Sequence, residues 1–302
     1  MDSKEYIAHI GFPKCASSTL QTTLFNLDKN AAFLSPSHLE NVTGNEFIQK
    51  KGQETLLHEK ILKFIEKKDI DDNLEKNNLK KEILLKNSFS KKRIIFSSEW
   101  ITGCRYMKNS FNERIKLFSE IFPRDTKIIL IVRNHFDLIL SLYRDNQNSF
   151  DGKNFCKLDE FFDMLLSPKY INRISYEKIY KSLIKYFKPE NIYIYELKIN
   201  KNENIIENIN RDFEFIDQNK ITKKSKNIGV SKYQFYYLKF IRRIKFIKKF
   251  IPKILYLNIN RVIMYLLRSN KSIKFTNTNN LRKNVSNKLS NDWIYISEKF
   301  RN

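Results

Sequence analysis

Residues 9–20, HIGFPKCASSTL, place one lysine and three hydroxyl residues directly after a short apolar stretch. The apolar stretch predicts a buried strand, and Ser17, Ser18 and Thr19 predict the first turn of a helix. Backbone N–H groups at the start of a helix have no partner within it, and the helix dipole adds partial positive charge there. With the full charge of Lys14 beside them, they predict a loop that binds a phosphate-like group.

The spacing within this loop separates two kinds of phosphate-binding protein. Nucleotide triphosphatases have the loop G-x-x-x-x-G-K-[ST], with glycine directly before the lysine and a hydroxyl directly after it. Here Pro13 precedes Lys14, and the hydroxyl residues begin three positions later. The stretch resembles instead the 5′-phosphosulfate loop P-K-x-G-[ST]-[ST] of the sulfotransferases, with Ala16 where that family usually has glycine. A positive φ at Ala16 would cost about 1 kcal/mol, whereas a helical conformation would cost nothing.

A second motif that could bind phosphate starts at Arg133. It follows Lys127–Val132, an apolar run that predicts a strand, and Ser141 lies eight residues further on, about two turns away if the segment is helical. Together they could hold one phosphate from two sides, with about 1.5 to 3 kcal/mol from the arginine contact. The segment, RNHFDLILSLY, resembles the 3′-phosphate motif of the sulfotransferases, in which R-N is followed by D and by a serine eight positions after the arginine.

The two motifs together resemble those of the family that transfers a sulfuryl group from 3′-phosphoadenosine 5′-phosphosulfate (PAPS) to a hydroxyl without a metal. The resemblance covers about residues 5–200 and implies a bacterial sulfotransferase of the carbohydrate type, whose acceptor is a glycan or a lipid-linked saccharide. The strand end YEL at 195–197 matches the family's Y-E-D-L in part, which implies a tyrosine near the adenine. The implied PAPS-binding residues are Lys14, Cys15, Ala16, Ser17, Ser18, Thr19, Arg133, Ser141 and Tyr195.

Sulfuryl transfer needs a base that takes the proton of the acceptor hydroxyl and a cation that neutralises the leaving phosphate oxygen. Glu99 follows the apolar run at 93–97, so we expect it at the carboxyl end of a strand, where ligands bind in open parallel sheets. Several carbohydrate sulfotransferases use a glutamate as base. The resemblance therefore implies Glu99 as the base and Lys14 as the group that stabilises the leaving phosphate, with His38 and Glu40 as competing candidates for the base.

The elements expected to position these residues are those of an α/β protein. Strands without alternating polarity, separated by helical stretches, are typical of a parallel sheet covered on both faces. We therefore predict a three-layer, P-loop-like fold with a central parallel sheet flanked by helices, in which His9 is a buried core residue. The predicted strands are 6–10, 93–97, 127–132 and 192–195; the predicted helices are 17–27, 111–122, 158–167 and 175–187, with a solvated helix and connector over 66–93.

The charge of the chain is unevenly distributed. Residues 218–302 hold 21 of the 56 Lys and Arg residues but two of the 33 acidic ones, so they carry +19 of the net charge of +23. This asymmetry predicts an α/β core over 1–217 and a basic helical extension over 218–302 that packs on it. Three cysteines without C-x-x-C spacing indicate neither a disulfide framework nor a zinc site. With no signal peptide expected from the first residues, they predict a cytoplasmic protein.

The extension contains a basic amphipathic stretch, 233–251, that ends at Pro252. It has three interpretations: a helix that packs on the core with a solvated basic face, an element that contacts an anionic membrane surface, and part of a groove for acidic glycans. The second would place the protein at the inner membrane surface. Basic residues interrupt every window of this stretch that is long enough to span a membrane.

Two other functions fit parts of the sequence. The phosphate-binding loop is also compatible with an ATP-dependent small-molecule kinase of P-loop type. The basic extension is also compatible with a nucleic-acid-binding protein, which would use such charge to contact phosphates. The sulfotransferase prediction includes no specific nucleic acid partner.

Overall fold

The protein is described here from a computed structural model. The structure describes residues 4–36, 53–66, 73–84, 91–103, 109–146, 157–198, 205–221, 237, 263 and 278–301. These residues form a central sheet of five parallel strands flanked by helices, which confirms the predicted three-layer α/β fold.

The sheet has the strand order β2-β3-β1-β4-β5, so the first strand lies at its centre. The strands are β1 (Glu5–Gly11), β2 (Ala31–Leu34), β3 (Arg93–Ser97), β4 (Lys127–Val132) and β5 (Ile192–Glu196). Every pairing between them is parallel. All five carboxyl ends therefore lie at one edge of the sheet, named the carboxyl edge below, and all amino ends lie at the opposite one, the amino edge.

Helices connect these strands. They are α1 (Ser17–Leu20), continued by a π-helical turn over Gln21–Phe25, α2 (Gln53–Glu66), α3 (Asn73–Leu84), α4 (Phe111–Ile121), α5 (His135–Asn146), α6 (Leu158–Leu165), α7 (Tyr176–Leu183), α8 (Ile205–Phe213) and α9 (Asn279–Ser297). Short 3₁₀ turns cover Ile171–Arg173, Pro189–Asn191 and Gln218–Lys220.

The connections place helices on both faces of the sheet. From β1 to β2 the chain moves toward one side of the strand order. In every later crossover, from β2 to β3, β3 to β4 and β4 to β5, it moves toward the other side. Because such crossovers are right-handed, α1 lies on one face and α2, α3, α4 and α7 lie on the other. The packing agrees, since α2, α3, α4 and α7 form one layer while α8 contacts β5 and the turn after α1.

The core lies on both sides of the central strands. Apolar side chains of β1, β3 and β4 are almost completely removed from solvent, among them Ile7, Ile94, Ile95, Ile129 and Ile131. Each such side chain contributes about 1.5 to 3 kcal/mol of burial free energy. This core fixes the strand ends, and with them the residues that follow each strand.

The predicted strands at 93–97 and 127–132 have the bounds of β3 and β4, and the first and fourth strands are each found with small extensions. The patterns do not predict β2, α2, α8 or α9. β2 has only four residues, AAFL, and is too short to show a period. The predicted basic helix at 233–251 lies outside the described residues.

The chain packs as two compact units. The first combines residues 1–134, 172–225 and 289–302 and contains the whole sheet. The second combines 135–171 and 226–288. The predicted division between residues 217 and 218 stays a prediction. None of the described helices is both long and apolar enough to cross a membrane.

Aromatic contacts hold the second unit together. Phe136 of α5 packs on Phe162 of α6 with ring centroids 5.5 Å apart, and Tyr143 packs on Phe161 at 5.4 Å. The guanidinium of Arg282 lies 4.4 Å from the centroid of the Phe136 ring. Such cation–π contacts contribute about 0.5 to 2 kcal/mol, so α9 adds to the stability of this unit.

Candidate functional site

The loop after β1 has the backbone shape of an anion-binding nest. Lys14 and Ala16 adopt the left-handed conformation, with φ of 66° and 62°, and Ala16 is the N-cap of α1. A left-handed residue followed by a right-handed one turns successive N–H groups toward one point. Ala16 and the helical Ser17 form such a pair, so the N–H groups of residues 16–18 surround one concavity at the carboxyl edge.

Ala16 has the left-handed conformation that favours glycine, the residue usual at this position in the loop that this stretch resembles. Of the two conformations considered from the sequence, the one with positive φ occurs. Alanine there costs about 1 kcal/mol relative to the right-handed conformation. Cys15, between the two left-handed residues, is fully buried, and its N–H donates to the carbonyl of Phe12 at 3.2 Å. These contacts hold the loop in shape although it lacks glycine.

The start of α1 is held against the loop by hydrogen bonds. The N–H of Leu20 donates to the Ala16 carbonyl at 3.0 Å, and the Ser17 hydroxyl lies 3.5 Å from the Phe12 carbonyl. Ser17 and Thr19 are buried, whereas Ser18 is half-buried. Of the three hydroxyl residues, Ser18 is therefore the most accessible to a ligand in the nest.

Arg133 comes directly after β4, the neighbour of β1, and reaches this loop. Its Nη1 donates to the Lys14 carbonyl at 3.0 Å, and the Phe12 N–H donates to the Ile131 carbonyl at 2.9 Å. Arg133 Nε is buried and has no hydrogen-bond partner among the described residues. A buried N–H without a partner costs about 1 to 3 kcal/mol, and a bound anion would remove that cost.

Tyr176, the first residue of α7, fixes both strand ends. Its hydroxyl donates to the Arg133 carbonyl at 2.8 Å, and its ring meets the Phe12 ring edge-on at a centroid distance of 5.3 Å. Burial, with a smaller contribution from nearby Cys15, raises the pKa of Tyr176 well above its ordinary value. The hydroxyl therefore keeps its proton and remains a donor to Arg133.

Asp292 of α9 in turn holds the start of α7. Its carboxylate accepts from the N–H groups of Tyr176 and Glu177, both at 3.0 Å, and from the Ser175 hydroxyl. A carboxylate at a helix N-terminus is stabilising because it meets the orphan N–H groups and the positive end of the dipole. A residue close to the end of the chain thus supports the Arg133 backbone through Tyr176.

Glu99 lies in the turn after β3, on the other side of β1, and is half-buried. The turn is fixed to β1: the Thr102 hydroxyl donates to the Ile10 carbonyl at 2.8 Å, and the Ser98 N–H donates to the His9 carbonyl at 2.9 Å. Gly11 has a φ of 134°, and a Cβ there would lie 1.9 Å from Thr102 Oγ1. Only glycine lets the ends of β1 and β3 approach so closely.

The buried polar residues beneath the loop form a neutral cluster. Gln21 Nε2 donates to Ser97 Oγ at 2.9 Å, and the same oxygen is hydrogen-bonded to His9 Nδ1, also at 2.9 Å. Burial lowers the pKa of His9 to about 3. The prediction that His9 is a buried, hydrogen-bonded core residue is confirmed, and this histidine is neutral.

The remaining candidates are Tyr195, Ser141, His38 and Glu40. Tyr195 is inside β5, 2% exposed, and its hydroxyl donates to Asp212 Oδ2 of α8 at 2.6 Å. Burial and this bond raise the pKa of Tyr195 above its ordinary value. Ser141 lies on α5, in the second unit. His38 and Glu40 lie outside the described residues.

Four functional positions escape the sequence patterns. Gly11, Thr102, Tyr176 and Asp292 act through contacts between distant parts of the chain, and only the glycine directly before the loop carries a local signal.

No group of histidine, cysteine and acidic residues in the described ranges could hold a metal ion. No family model matches the chain, and no curated protein matches it.

Proposed function

We propose that the chain is a sulfotransferase that moves a sulfuryl group from PAPS to a hydroxyl of a saccharide. One observation carries the proposal: Arg133 donates to the carbonyl of Lys14, 119 residues away, across neighbouring strand ends. The arginine of the segment that resembles the 3′-phosphate motif and the lysine of the loop that resembles the 5′-phosphosulfate loop therefore meet at one edge of the sheet.

The chemistry of this edge supports a donor with two anionic groups. The nest over residues 16–18 offers converging N–H groups, and Lys14 adds a full positive charge beside it. Arg133 adds a buried Nε that has no hydrogen-bond partner among the described residues. In the proposal the nest receives the 5′-phosphosulfate and Arg133 receives the 3′-phosphate, while the role of Ser141 stays a prediction from the sequence.

The residues of the edge have distinct roles in the proposed reaction. The donor supplies a sulfuryl group whose bond to the phosphate oxygen breaks as a bond to the acceptor oxygen forms. Glu99 accepts the proton that the acceptor hydroxyl loses, and Lys14 neutralises the charge that develops on the leaving phosphate oxygen. Tyr176 keeps the Arg133 backbone in position. The place of Tyr195 near the adenine and the cytoplasmic location stay predictions from the sequence. Contact of the basic extension with a membrane surface stays one of its three interpretations.

Calorimetry with 3′-phosphoadenosine 5′-phosphate tests the donor site. We expect micromolar binding to the full chain and a loss of tenfold or more in both Lys14→Ala and Arg133→Ala, because each removes a charge-assisted contact. The matched controls are Lys29→Ala and Arg124→Ala, which remove exposed cations elsewhere in the sheet unit. Absence of binding to the intact protein, or tighter binding of ATP, would reject the proposal; the second result would favour the kinase.

Turnover measurements with PAPS test the base. We expect Glu99→Gln to keep its affinity for 3′-phosphoadenosine 5′-phosphate and to lose most of its turnover, since the amide has a similar shape but cannot accept the proton. Glu120→Gln, on α4, where the carboxylate pairs with Lys76 Nζ of α3 at 3.3 Å, is the control. Full activity of Glu99→Gln would move the role to His38 or Glu40, and their glutamine variants would then identify the base.

A further inference from the structure

Tyr176, at the start of α7, contacts both segments of the proposed donor site. Its ring meets the ring of Phe12 edge-on, and Phe12 lies in the loop that leads to Lys14. Its hydroxyl donates to the Arg133 carbonyl at 2.8 Å and accepts from the Arg133 N–H at 3.4 Å. A shift of Tyr176 would therefore disturb the loop after β1 and the residue after β4 together.

Arg133 is held at both ends, and its Nε lies between the two held points. Tyr176 bonds to its backbone, and its Nη1 donates to the Lys14 carbonyl at 3.0 Å. The Nε is buried and has no hydrogen-bond partner among the described residues. Such an N–H is preorganised for an anion, because the arginine loses little further side-chain freedom when the anion binds. The position of Tyr176 thus sets where this N–H can meet a ligand.

Asp292, in the second half of α9, holds Tyr176 in turn. The N–H groups of Tyr176 and Glu177 donate to its carboxylate, both at 3.0 Å, and the Ser175 hydroxyl donates to it as well. The ring of the next residue, Trp293, packs on the Tyr176 ring with centroids 6.2 Å apart. Residues of α9 therefore hold both the backbone and the ring of Tyr176.

The bonds from Asp292 differ from those of an ordinary helix cap. Ser175 is the N-cap residue of α7, and its hydroxyl already accepts from the Lys178 N–H at 3.3 Å. Asp292 binds instead the N–H groups of Tyr176 and Glu177, which belong to the peptide groups before and after the Tyr176 Cα. It therefore fixes the backbone on both sides of the atom from which the tyrosine ring projects.

We propose that Tyr176 and Asp292 are positioning residues of the donor site, and that the second half of α9 thereby sets the affinity for the donor. This inference rests on the proposed function and deepens it. Arg133 contacts the anion, Tyr176 places Arg133 and the loop around Phe12, and Asp292 places Tyr176. The two positioning residues act only through these contacts.

Calorimetry with 3′-phosphoadenosine 5′-phosphate tests the inference in two variants. Tyr176→Phe keeps the ring and removes the hydroxyl, whereas Asp292→Asn keeps the shape of the side chain and removes its charge and one acceptor oxygen. We expect the affinity to fall about fivefold in Tyr176→Phe and about threefold in Asp292→Asn, because each variant loses hydrogen bonds that keep Arg133 in place.

Ser110→Ala is the matched control for the loss of a helix cap. Ser110 is the N-cap residue of α4, where its hydroxyl accepts from the Glu113 N–H at 3.3 Å. We expect all three variants to unfold at lower urea concentration than the unchanged chain, but Ser110→Ala to keep its affinity. If Tyr176→Phe and Asp292→Asn also kept their affinity within about twofold, their role would be structural only and the inference would be overturned.

Hydrogen exchange measured by NMR tests the same connection in the opposite direction. Coupling between two sites is reciprocal, so a nucleotide held by Arg133 should stabilise the contact between Tyr176 and Asp292. We expect saturating 3′-phosphoadenosine 5′-phosphate to slow exchange of the Tyr176 and Glu177 amides, which donate to Asp292. Exchange at these amides that is the same with and without the nucleotide would contradict the inference.

The titrations also separate this inference from the proposed function. If the variants bind the nucleotide as the unchanged chain does, the positioning role fails and the donor site stands. If the unchanged chain binds ATP but not 3′-phosphoadenosine 5′-phosphate, the sulfotransferase is rejected, and the same variants titrated with ATP decide whether Tyr176 and Asp292 position Arg133. A chain that binds neither nucleotide would overturn both proposals.

Discussion

The two edges of the central sheet carry the same kinds of charged residue from the same three strands. A glutamate, an arginine and a lysine stand where β1, β3 and β4 begin, and the same three types follow where those strands end: Glu5, Arg93 and Lys127 at the amino edge, Lys14, Glu99 and Arg133 at the carboxyl edge. What differs is how the charges are paired.

At the amino edge the charges satisfy one another. Glu5 accepts from Arg93 Nε and from Lys127 Nζ, each at 2.6 Å, and Arg93 Nη1 lies 3.3 Å from Asp28 Oδ2. Burial alone would raise the pKa of Glu5, but the bonds from Lys127 and Arg93 outweigh it and lower that pKa. This edge is therefore a structural ion cluster.

At the carboxyl edge the arginine binds backbone rather than a carboxylate. Arg133 donates to the Lys14 carbonyl, its Nε has no hydrogen-bond partner among the described residues, and the loop it holds contains two left-handed residues. Such an arrangement gives up stability and keeps positive charge for a ligand. The same residue types thus stabilise one edge and, in the proposed function, bind the donor at the other.

The largest expected effect is at the contact between β1 and the Glu99 turn. Gly11→Ala should lower the free energy of unfolding by about 3 kcal/mol or more, since its Cβ would lie 1.9 Å from Thr102 Oγ1 at a φ of 134°. Urea unfolding measures this. Gly103→Ala is the control and should cost less, because its nearest contact is 3.2 Å. If Gly11→Ala were as stable as the unchanged chain, the carboxyl edge would not be tightly packed.

The same chemical change at each edge compares them directly. Glu5→Gln should lower the free energy of unfolding by about 2 kcal/mol, because it leaves two partly buried cations without their carboxylate. Glu99→Gln should lower it by less, because the bonds from Thr102 and Ser98 that fix this turn to β1 do not use the Glu99 carboxylate. Equal losses of stability in the two variants would contradict the distinction between a structural and a binding edge.

As the pH falls, the fold should lose stability first through His9, in the middle of β1, and only at lower pH through the charged residues of the edges. His9 has a pKa of about 3 in the fold and 6.5 as its reference value, so between these values the unfolded chain binds a proton that the folded chain does not. The contribution of neutral His9 to the free energy of unfolding is therefore fully present above pH 6.5. Below that pH it should fall by up to about 1.4 kcal/mol per pH unit. Glu5 adds its own loss only as the pH falls below the ordinary glutamate pKa of about 4.3.

Urea unfolding between pH 7 and pH 5 isolates this effect of His9. The His9→Ala variant will be less stable at every pH because it leaves a cavity, but its stability should depend less on pH than that of the unchanged chain. An equal pH dependence in the two proteins would mean that His9 is not the group that takes up the proton on unfolding.

The smallest expected effect is a gain at the nest. Ala16→Gly should raise the free energy of unfolding by about 1 kcal/mol, because glycine adopts the φ of 62° without strain. Ala8→Gly, in the buried middle of β1, should lower it and serves as the control. Thermal unfolding of both variants checks this, and a loss of stability in Ala16→Gly would mean that the loop does not need the left-handed conformation.

Local patterns predict much of the fold and part of the site. Runs such as IILIV, which follows Lys127 in β4, have no polar residue facing either side, so β3 and β4 are found with their bounds. α9 is missed because it has only one apolar residue per turn over its first half, Leu281, Val285 and Leu289, which is too narrow an apolar stripe to stand out among polar residues. The loop after β1 was predictable because its residue types lie together in the sequence.

By itself the sequence determined which segments are buried strands and which residue types follow them, because both are properties of neighbouring residues. It did not determine the conformation of Ala16, for which both a helical and a left-handed φ were open. The tertiary structure decided that, and it alone brought Arg133 to Lys14 and Tyr176 to Arg133. These contacts join residues far apart in the chain, and they form only when parallel strands align their carboxyl ends at a common edge.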